Sequence, residues 1–214
     1  AQETKMDVPK TFGFAAGNVF VEGGLTFSIT KDTDSNNQGV DITETEVKKA
    51  SFSPKVGYFI SDKLAIGVGL SISNGKTDTT DLTSSPTVTT TSKDSGFGAD
   101  AFLRYYFLNL GERFKTYTEV SAGFNTSKGE VTTPPGPTNT TKTNGFGMGV
   151  DLGMNYFLTP KIAISFALAD VLSFRSDNTD FPSGRKTTAN DFNGNINVFK
   201  NFFNTPTFGL LFKL

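Results

Sequence analysis

The chain has 214 residues, 36% hydrophobic and 19% charged, which suits one domain of ordinary size and is too short for two. Its 20 Lys and Arg against 21 Asp and Glu give a formal net charge of −1, which excludes binding to nucleic acid by bulk electrostatic attraction. The absence of Cys and His removes disulfides, thiolate catalysis, the commonest general base and the commonest metal ligand.

The start of the chain bears on its processing and on membrane insertion. The first residues, Ala1, Gln2 and Glu3, include no Met and no apolar stretch, so we expect a mature chain from which a signal peptide has been removed. The most apolar window, 162–169, is far shorter than the roughly 20 residues that a membrane-spanning helix needs. A spanning β-strand needs only about 9–11 residues with alternating apolar side chains, so this weaker pattern has to be sought separately.

Strict period-two alternation recurs along almost the whole chain and predicts eight strands. Between residues 64 and 72, for example, Leu64 and Ile66 share one face while Ala65 and Gly67 share the other. No stretch has comparable helical periodicity, and the many Gly and β-branched residues disfavour helices. The chain is therefore predicted to be all-β, with strands at residues 19–29, 50–60, 64–72, 97–107, 116–126, 146–156, 162–168 and 208–214.

Two irregular segments lie near the C-terminus. Residues 191–206 alternate more weakly, and a separate strand there would make the number of strands odd. We interpret 191–206 as the outer part of the eighth strand, interrupted by a bulge near residues 204–206. Asp170 interrupts the apolar face of the seventh strand, which predicts that this strand bulges or leaves the membrane there.

The connectors between the predicted strands alternate in length. Short turns are predicted at residues 61–63, 109–114 and 159–161. The other connectors are long and rich in Thr, Ser, Asn, Pro and charge, and we expect solvated loops at 31–48, 74–94, 127–144 and 175–190. An antiparallel meander with short turns at one end and long loops at the other is the layout of bacterial outer-membrane barrels.

Side-chain size indicates which face of the barrel is inside. The polar face is rich in Gly, Ser and Ala, whose small side chains fit a confined lumen. The apolar face carries nearly all the large side chains, as a lipid-facing surface would. A soluble barrel with an apolar ligand inside remains an alternative, since it also has one apolar face. Aromatic residues form two predicted bands that are typical of interfacial girdles: Tyr58, Tyr105, Phe107 and Tyr156 near the short turns, and Phe27, Phe97, Phe124, Phe146 and Phe174 near the long loops.

With these features, residues 18–214 resemble the small bacterial outer-membrane β-barrel superfamily, the class of OmpX and the OmpA transmembrane domain. The segment 207–214 is similar to the terminal signal that the outer-membrane assembly machinery recognises, although it ends in Leu where many such barrels end in an aromatic residue. The alternating residues of this assembly signal are Phe208, Leu210, Phe212 and Leu214.

The resemblance implies an eight-stranded antiparallel up-and-down transmembrane β-barrel at 18–214, preceded by a periplasmic segment at 1–17. It also implies periplasmic short turns, extracellular long loops and a place in the bacterial outer membrane. The implied partners are membrane lipids and lipopolysaccharide, the assembly machinery during biogenesis, and a larger envelope protein complex of which the barrel would be a subunit.

The strand register assigns two groups of residues to the lumen. An aromatic plug is predicted near the short-turn mouth, formed by Phe20, Phe59, Phe102, Tyr106, Tyr117 and Phe157. A charge network is predicted above it, formed by Glu22, Lys55, Asp100, Arg104, Glu119 and Asp151. Arg104 and Glu119 are nearly opposite in register, which favours a charge-assisted pair. We interpret the network as ion pairing that fills a narrow barrel, with a selectivity ring or proton path as the alternative.

We expect neither catalysis nor metal or cofactor binding by this chain. Enzymes that resemble this class rely on His beside Ser or Asp, and this chain has no His, so we predict a non-enzymatic protein. Acidic residues at 32–34 and 78–81 lack the Gly and closing Glu of a calcium loop, so neither a metal site nor a cofactor is predicted. The leading hypothesis is a structural, surface-interaction or envelope-complex role with a plugged lumen. The alternatives are a small passive porin-like channel and a soluble β-barrel carrier of an apolar ligand.

Overall fold

The computed structural model of the chain describes residues 12–194 and 207–214, and these contain nine antiparallel β-strands. Each strand from β1 to β7 pairs with the next, and β9 pairs with both β1 and β7, which closes the sheet into a barrel. The all-β barrel fold that the alternation predicts is confirmed. In chain order the strands are β1 (Val19–Ser35), β2 (Asp41–Phe59), β3 (Leu64–Asp81), β4 (Val88–Leu110), β5 (Phe114–Thr132), β6 (Asn139–Phe157), β7 (Ile162–Asp180), β8 (Lys186–Gly194) and β9 (Thr207–Lys213).

The barrel has eight strand positions because β8 and β9 share one of them. The β8 strand pairs with residues 172–180 of β7, and β9 pairs with residues 162–167 of the same strand. Residues 191–194 of the predicted extension therefore lie in β8, while the predicted bulge near 204–206 lies outside the described residues. Within the described ranges, no helix is long and apolar enough to cross a membrane.

The strands are longer than the apolar alternation predicts. Strands β1 to β7 contain 17 to 23 residues each, well beyond the roughly 9–11 that span a bilayer. The prediction of long solvated loops is therefore wrong: most of 31–48, 74–94, 127–144 and 175–190 is β-strand, and the connectors between these hairpins shrink to residues 36–40, 82–87, 133–138 and 181–185.

The strand extensions have a physical basis that apolar alternation does not record. Backbone hydrogen bonds continue the ladder whatever the side chains are, and β-branched Thr favours an extended, half-buried surface. Cross-strand Thr pairs add side-chain hydrogen bonds, as between the hydroxyls of Thr80 and Thr89 at 3.0 Å. Apolar and polar residues stop alternating where both faces of the strand are polar. The alternation therefore predicts only the part of each strand that has an apolar face, and it misses the extension into the hairpin.

The apolar face of each strand points outward. Val68 is 60% exposed and Val120 is 50% exposed, whereas Ala65 and Ala163 on the opposite face are buried. Along β3 the outward face changes from apolar to polar between Ile72 and the following outward residue, which defines the upper edge of an apolar belt. This arrangement is that of a barrel surrounded by lipid rather than by water.

The seventh strand is irregular where the sequence predicts it. The pairing of β7 with β6 shifts register on both sides of Asp170, first between Leu172 and Asp170 and again between Ala169 and Ala167. Each shift places an extra residue in β7, so the strand bulges twice within a short distance.

Candidate functional site

The lumen at the short-turn end is filled by aromatic rings. The structure places all six residues of the predicted plug inside the barrel and buries each of them: Phe20, Phe59, Phe102, Tyr106, Tyr117 and Phe157. Five of these rings form a chain of contacts, with centroids 5.6 Å apart for Phe59 and Tyr106 and 5.3 Å apart for Tyr106 and Tyr117. Tilted ring pairs at these separations are favourable beyond the area that they bury.

Glycines on the neighbouring strands make room for these rings. The cross-strand partners of Phe20, Phe102 and Tyr117 include Gly57, Gly67 and Gly153, respectively. A Cβ atom on any of these three glycines would come within 2.2 to 2.3 Å of the ring lying over it. Large rings and glycines therefore alternate around the inner wall, which lets a narrow barrel hold several aromatic side chains.

Residues 12–17 close the short-turn mouth from below. The ring of Phe14 stacks on Phe59 with centroids 4.3 Å apart and meets Phe157 edge-on at 5.2 Å. Three hydrogen bonds tie the segment to the barrel: Gly17 N–H donates to the Phe59 carbonyl at 2.8 Å, Ala16 N–H donates to Oδ1 of Asp62 at 2.9 Å, and Lys213 Nζ donates to the Gly13 carbonyl at 2.7 Å. The sequence prediction missed this contribution, although Phe12 and Phe14 stand out as apolar residues just before the first strand.

A neutral group of four charges lies on top of the rings. Arg104 is 1% exposed and lies directly opposite Glu119 in register, with 2.7 Å from Nε to Oε2 of that carboxylate. Its Nη1 donates to Oε2 of Glu22 at 2.5 Å, and Lys55 forms a further ion pair with Glu119. Two positive charges thus balance two negative ones, which is the condition for tolerating ions in a site with little water.

The guanidinium of Arg104 also joins the charges to the aromatic rings. Its carbon atom lies 4.1 Å from the ring centroid of Tyr117 and 5.0 Å from that of Phe20. A desolvated guanidinium over an aromatic face gains a cation–π interaction in addition to its ion pairs. The plug and the ion pairs consequently form one packed unit rather than two layers separated by water.

A chain of polar side chains continues from this unit across the lumen. The hydroxyl of Tyr106 donates to Oδ1 of Asn155 at 2.6 Å, and Nδ2 of Asn155 donates to Oγ of Ser165 at 2.7 Å. All three residues are buried. The sequence prediction assigned Asn155 and Ser165 to the inward face but gave them no role, because register alone does not show which polar residues meet.

The other two carboxylates of the predicted network line cavities of the lumen. Asp100 lines an outward-lying cavity of about 470 Å³ together with Lys55, and its buried Oδ2 has no hydrogen-bond partner among the described residues. Asp151 lies opposite Glu119 in register and lines a second cavity of about 430 Å³ that also contacts Glu22. The structure thus joins four of the six predicted charges in ion pairs and places the other two in the walls of these two cavities.

The outward face carries the predicted girdles and the predicted assembly signal. Phe27, Phe97, Phe124 and Phe146 are exposed near the hairpin end, Tyr58, Tyr105 and Phe107 are exposed near the short turns, and Tyr156 and Phe174 are half-buried. In β9 and the residue after it, the outward and exposed side chains are Phe208, Leu210, Phe212 and Leu214. Leu211 between them is completely buried, a core residue that the sequence prediction did not single out.

Comparison with known proteins agrees with this architecture. The chain is similar to the outer membrane protein OprG from Pseudomonas aeruginosa, with 16% identity, a TM-score of 0.51 and coverage of 94% of this chain and 98% of that chain. It is also similar to the outer membrane protein W of E. coli, with 13% identity, a TM-score of 0.41 and coverage of 94% and 99%. At 16% identity the likeness to OprG concerns the fold alone, and no curated protein matches the sequence. Residues 13–198 match the outer membrane protein beta-barrel domain, so the chain belongs to that family of outer-membrane β-barrels.

Proposed function

We propose that this protein is a non-enzymatic outer-membrane barrel whose lumen is plugged, with a structural, surface-interaction or envelope-complex role. The observation that carries the proposal is the burial of Arg104, which is 1% exposed between two carboxylates and three aromatic rings. An ion passing this level would have to displace those contacts. The lack of His supports the absence of the acid–base chemistry on which catalytic barrels rely.

The dimensions of the barrel support the plug. An eight-stranded barrel has an interior only just wide enough for side chains to fill. Here the rings, the ion pairs and the Tyr106–Asn155–Ser165 chain occupy the short-turn half, and Phe14 packs against the rings from below. No continuous water path is expected through such packing.

We further propose that the long hairpins are extracellular and the short turns periplasmic, with membrane lipids, lipopolysaccharide and a larger envelope complex as partners. The hairpins extend well above the apolar belt with polar residues on both faces, which suits a surface that projects into water. Digestion of intact cells with proteinase K tests this orientation, since cleavage within 82–87 or 133–138 requires that these connectors be outside.

The soluble-carrier alternative has no support in this structure. Such a carrier needs an apolar cavity inside and polar side chains outside. Here the buried interior contains Arg104 and Glu119, and bulky side chains such as Val68 and Leu103 lie on the exposed outer face.

A passive channel is the second candidate, and a specific observation favours it. The cavity of about 470 Å³ above the plug is lined by charged and polar side chains, including Lys55, Asp100 and Arg175. A lumen of this kind admits small polar solutes as far as the Arg104 level. Passage then depends on whether the plug moves.

Single-molecule conductance in planar bilayers distinguishes the two candidates. Protein refolded in detergent and inserted into the bilayer is expected to give no stepwise conductance at moderate voltage, whereas a general porin measured in parallel shows that insertion and detection work. Reproducible steps of uniform size would refute the plug. Steps that appear only in a Phe14→Ala and Arg104→Ala double variant would support it.

A further inference from the structure

Six lysines form a ring on the outward face just above the apolar belt. Pairing in the barrel places Lys48, Lys76 and Lys93 side by side on three neighbouring strands, and Lys128 beside Lys142 on the next two. The outward face of each of β1 to β6 carries one of these residues, and we call them the lysine ring: Lys31, Lys48, Lys76, Lys93, Lys128 and Lys142.

The position of the lysine ring relative to the belt repeats from strand to strand. In β3 the outward residues run Ile72, Asn74, Lys76, and in β4 the partners of these three are Phe97, Ser95 and Lys93. In β2 to β6 a single small or polar residue thus separates the last bulky apolar side chain from the lysine, whereas in β1 Lys31 follows Ile29 directly on the outward face. Ammonium groups at this height lie at the level of lipid headgroups, because the apolar belt marks the acyl region.

Direct cross-strand contact between like charges is unfavourable without a counter-charge. Three such pairs occur in the ring, namely Lys48 with Lys76, Lys76 with Lys93, and Lys128 with Lys142. Four ring lysines have carboxylate partners, but these bridges are exposed, with 46% to 60% of each lysine side chain accessible. Exposed bridges contribute little to stability, so an anion with several charges can displace them.

Two adjoining surface depressions meet at Lys76. One has a volume of about 370 Å³ and combines Phe27, Ile29 and Ala50 with Lys48 and Lys76. The other has a volume of about 250 Å³ and is lined by polar side chains that include Lys76, Lys93 and Lys128. Their combination of apolar wall and lysines fits a molecule that has acyl chains and phosphates close together.

The opposite edge of the belt has a different chemistry. Its outward residues are aromatic or apolar, such as Tyr58, Tyr105 and Phe114, and Lys115 and Lys213 at that end lie near Gly13 beneath the barrel. Lys63 and Lys161 at that end lie in the short turns outside the strands, so among the described residues only the hairpin side has lysines paired on neighbouring strands. A surface of this kind suits a membrane in which one leaflet alone carries a high density of phosphate.

We propose that the lysine ring binds the phosphates of the lipid A portion of lipopolysaccharide, with acyl chains along Phe27 and Ile29 and a phosphate at Lys48, Lys76 and Lys93. The proposal rests on the proposed orientation, in which the hairpin side faces the outer leaflet. It names the lipid partner of that surface and the residues that hold it.

The test measures lipid A binding to the full-length protein in detergent by native mass spectrometry. A Lys48→Gln, Lys76→Gln, Lys93→Gln variant removes three charges from the ring. The matched control, Lys63→Gln, Lys161→Gln, Lys186→Gln, removes three exposed lysines from turns and a hairpin. Gel mobility of unheated samples verifies that both variants are folded.

The ring variant is expected to bind lipid A with both phosphates at least about tenfold more weakly than the wild type, since each lysine near an anionic surface contributes about fivefold. The control is expected to bind as the wild type does, and lipid A without phosphates is expected to bind all three proteins equally weakly. Equal affinity of the ring variant and the control for the phosphorylated lipid would overturn the proposal. Because binding in detergent depends on neither conductance nor orientation, its failure is distinguishable from failure of the plug or of the proposed topology.

Discussion

Replacing Arg104 with Met is the sharpest perturbation of the lumen, because it removes one charge from a neutral buried group of four. The substitution keeps most of the side-chain volume but removes the Arg104 salt bridges of both Glu22 and Glu119, and of these two carboxylates only Glu119 keeps its ion pair with Lys55. Breaking a buried ion pair by removing one partner costs about 3–5 kcal/mol. We expect the free energy of unfolding of Arg104→Met to fall by about that amount.

A double variant tests whether the loss comes from unpaired charge. In the wild type, Glu22→Gln is expected to cost about 1–3 kcal/mol, since it removes a charged acceptor from Arg104. In the Arg104→Met background the same change leaves a neutral Glu119–Lys55 pair, so it should cost nothing or restore stability. The coupling energy between the two positions is therefore expected to be about 1–3 kcal/mol.

Unfolding in urea from lipid vesicles, followed by far-ultraviolet circular dichroism and by gel mobility of unheated samples, measures these free energies. Lys63→Gln in an exposed turn serves as the control and should stay within about 0.5 kcal/mol of the wild type. The reasoning is refuted if Glu22→Gln costs the same in both backgrounds, or if Arg104→Met costs less than about 1 kcal/mol by the same assay.

Three further predictions concern the plug wall, the mouth and the hairpins. Gly67→Ala is expected to cost about 1–3 kcal/mol in the same urea assay, because its Cβ would lie 2.2 Å from a backbone oxygen, whereas Gly147→Ala, with its nearest atom at 3.6 Å, should be neutral or slightly stabilising. Phe14→Ala should lower the free energy of unfolding by about 1–3 kcal/mol, and no loss would show that residues 12–17 do not support the rings. The hydrogen bond from Lys76, followed by that from Thr91, holds the pKa of Asp78 in the hairpin below its ordinary value. A depressed pKa stabilises the fold at neutral pH, and this stabilisation is lost as the pH falls through that pKa. Because Lys76→Gln removes the hydrogen bond from the ammonium group, carboxyl NMR titration should show a higher pKa for Asp78 in this variant.

The inward and outward faces of the barrel follow directly from the sequence because the side-chain period of a strand is two. Once Ile66 and Val68 are assigned to lipid, Gly67 must point inward, and the same reasoning assigns Phe102 and Arg104 to the lumen. Antiparallel pairing through short turns then fixes which residues are opposite, as for Arg104 and Glu119. These inferences need only local geometry.

The length of the strands is where local patterning fails. Both faces of the segment 74–81 lack bulky apolar residues, so the segment carries no alternation of polarity, yet it is a paired part of β3. The neighbouring strands supply its hydrogen bonds, residues 43–50 on one side and 88–95 on the other, and only the folded barrel shows this pairing. Loop composition and polar strand composition are too similar to be separated without it.

Fold class, sidedness and the identity of the lumenal residues were determined by the sequence, because they depend on alternation and on the sizes of Gly and Phe. Only the tertiary structure decided that Phe14 packs beneath the rings, that Tyr106, Asn155 and Ser165 join across the lumen, and that the lysines align above the belt. Each of these features depends either on the closure of the barrel or on the register between strands in their polar segments. The alternation of residues along one strand does not show such contacts, because they depend on how the strands are arranged in the closed barrel.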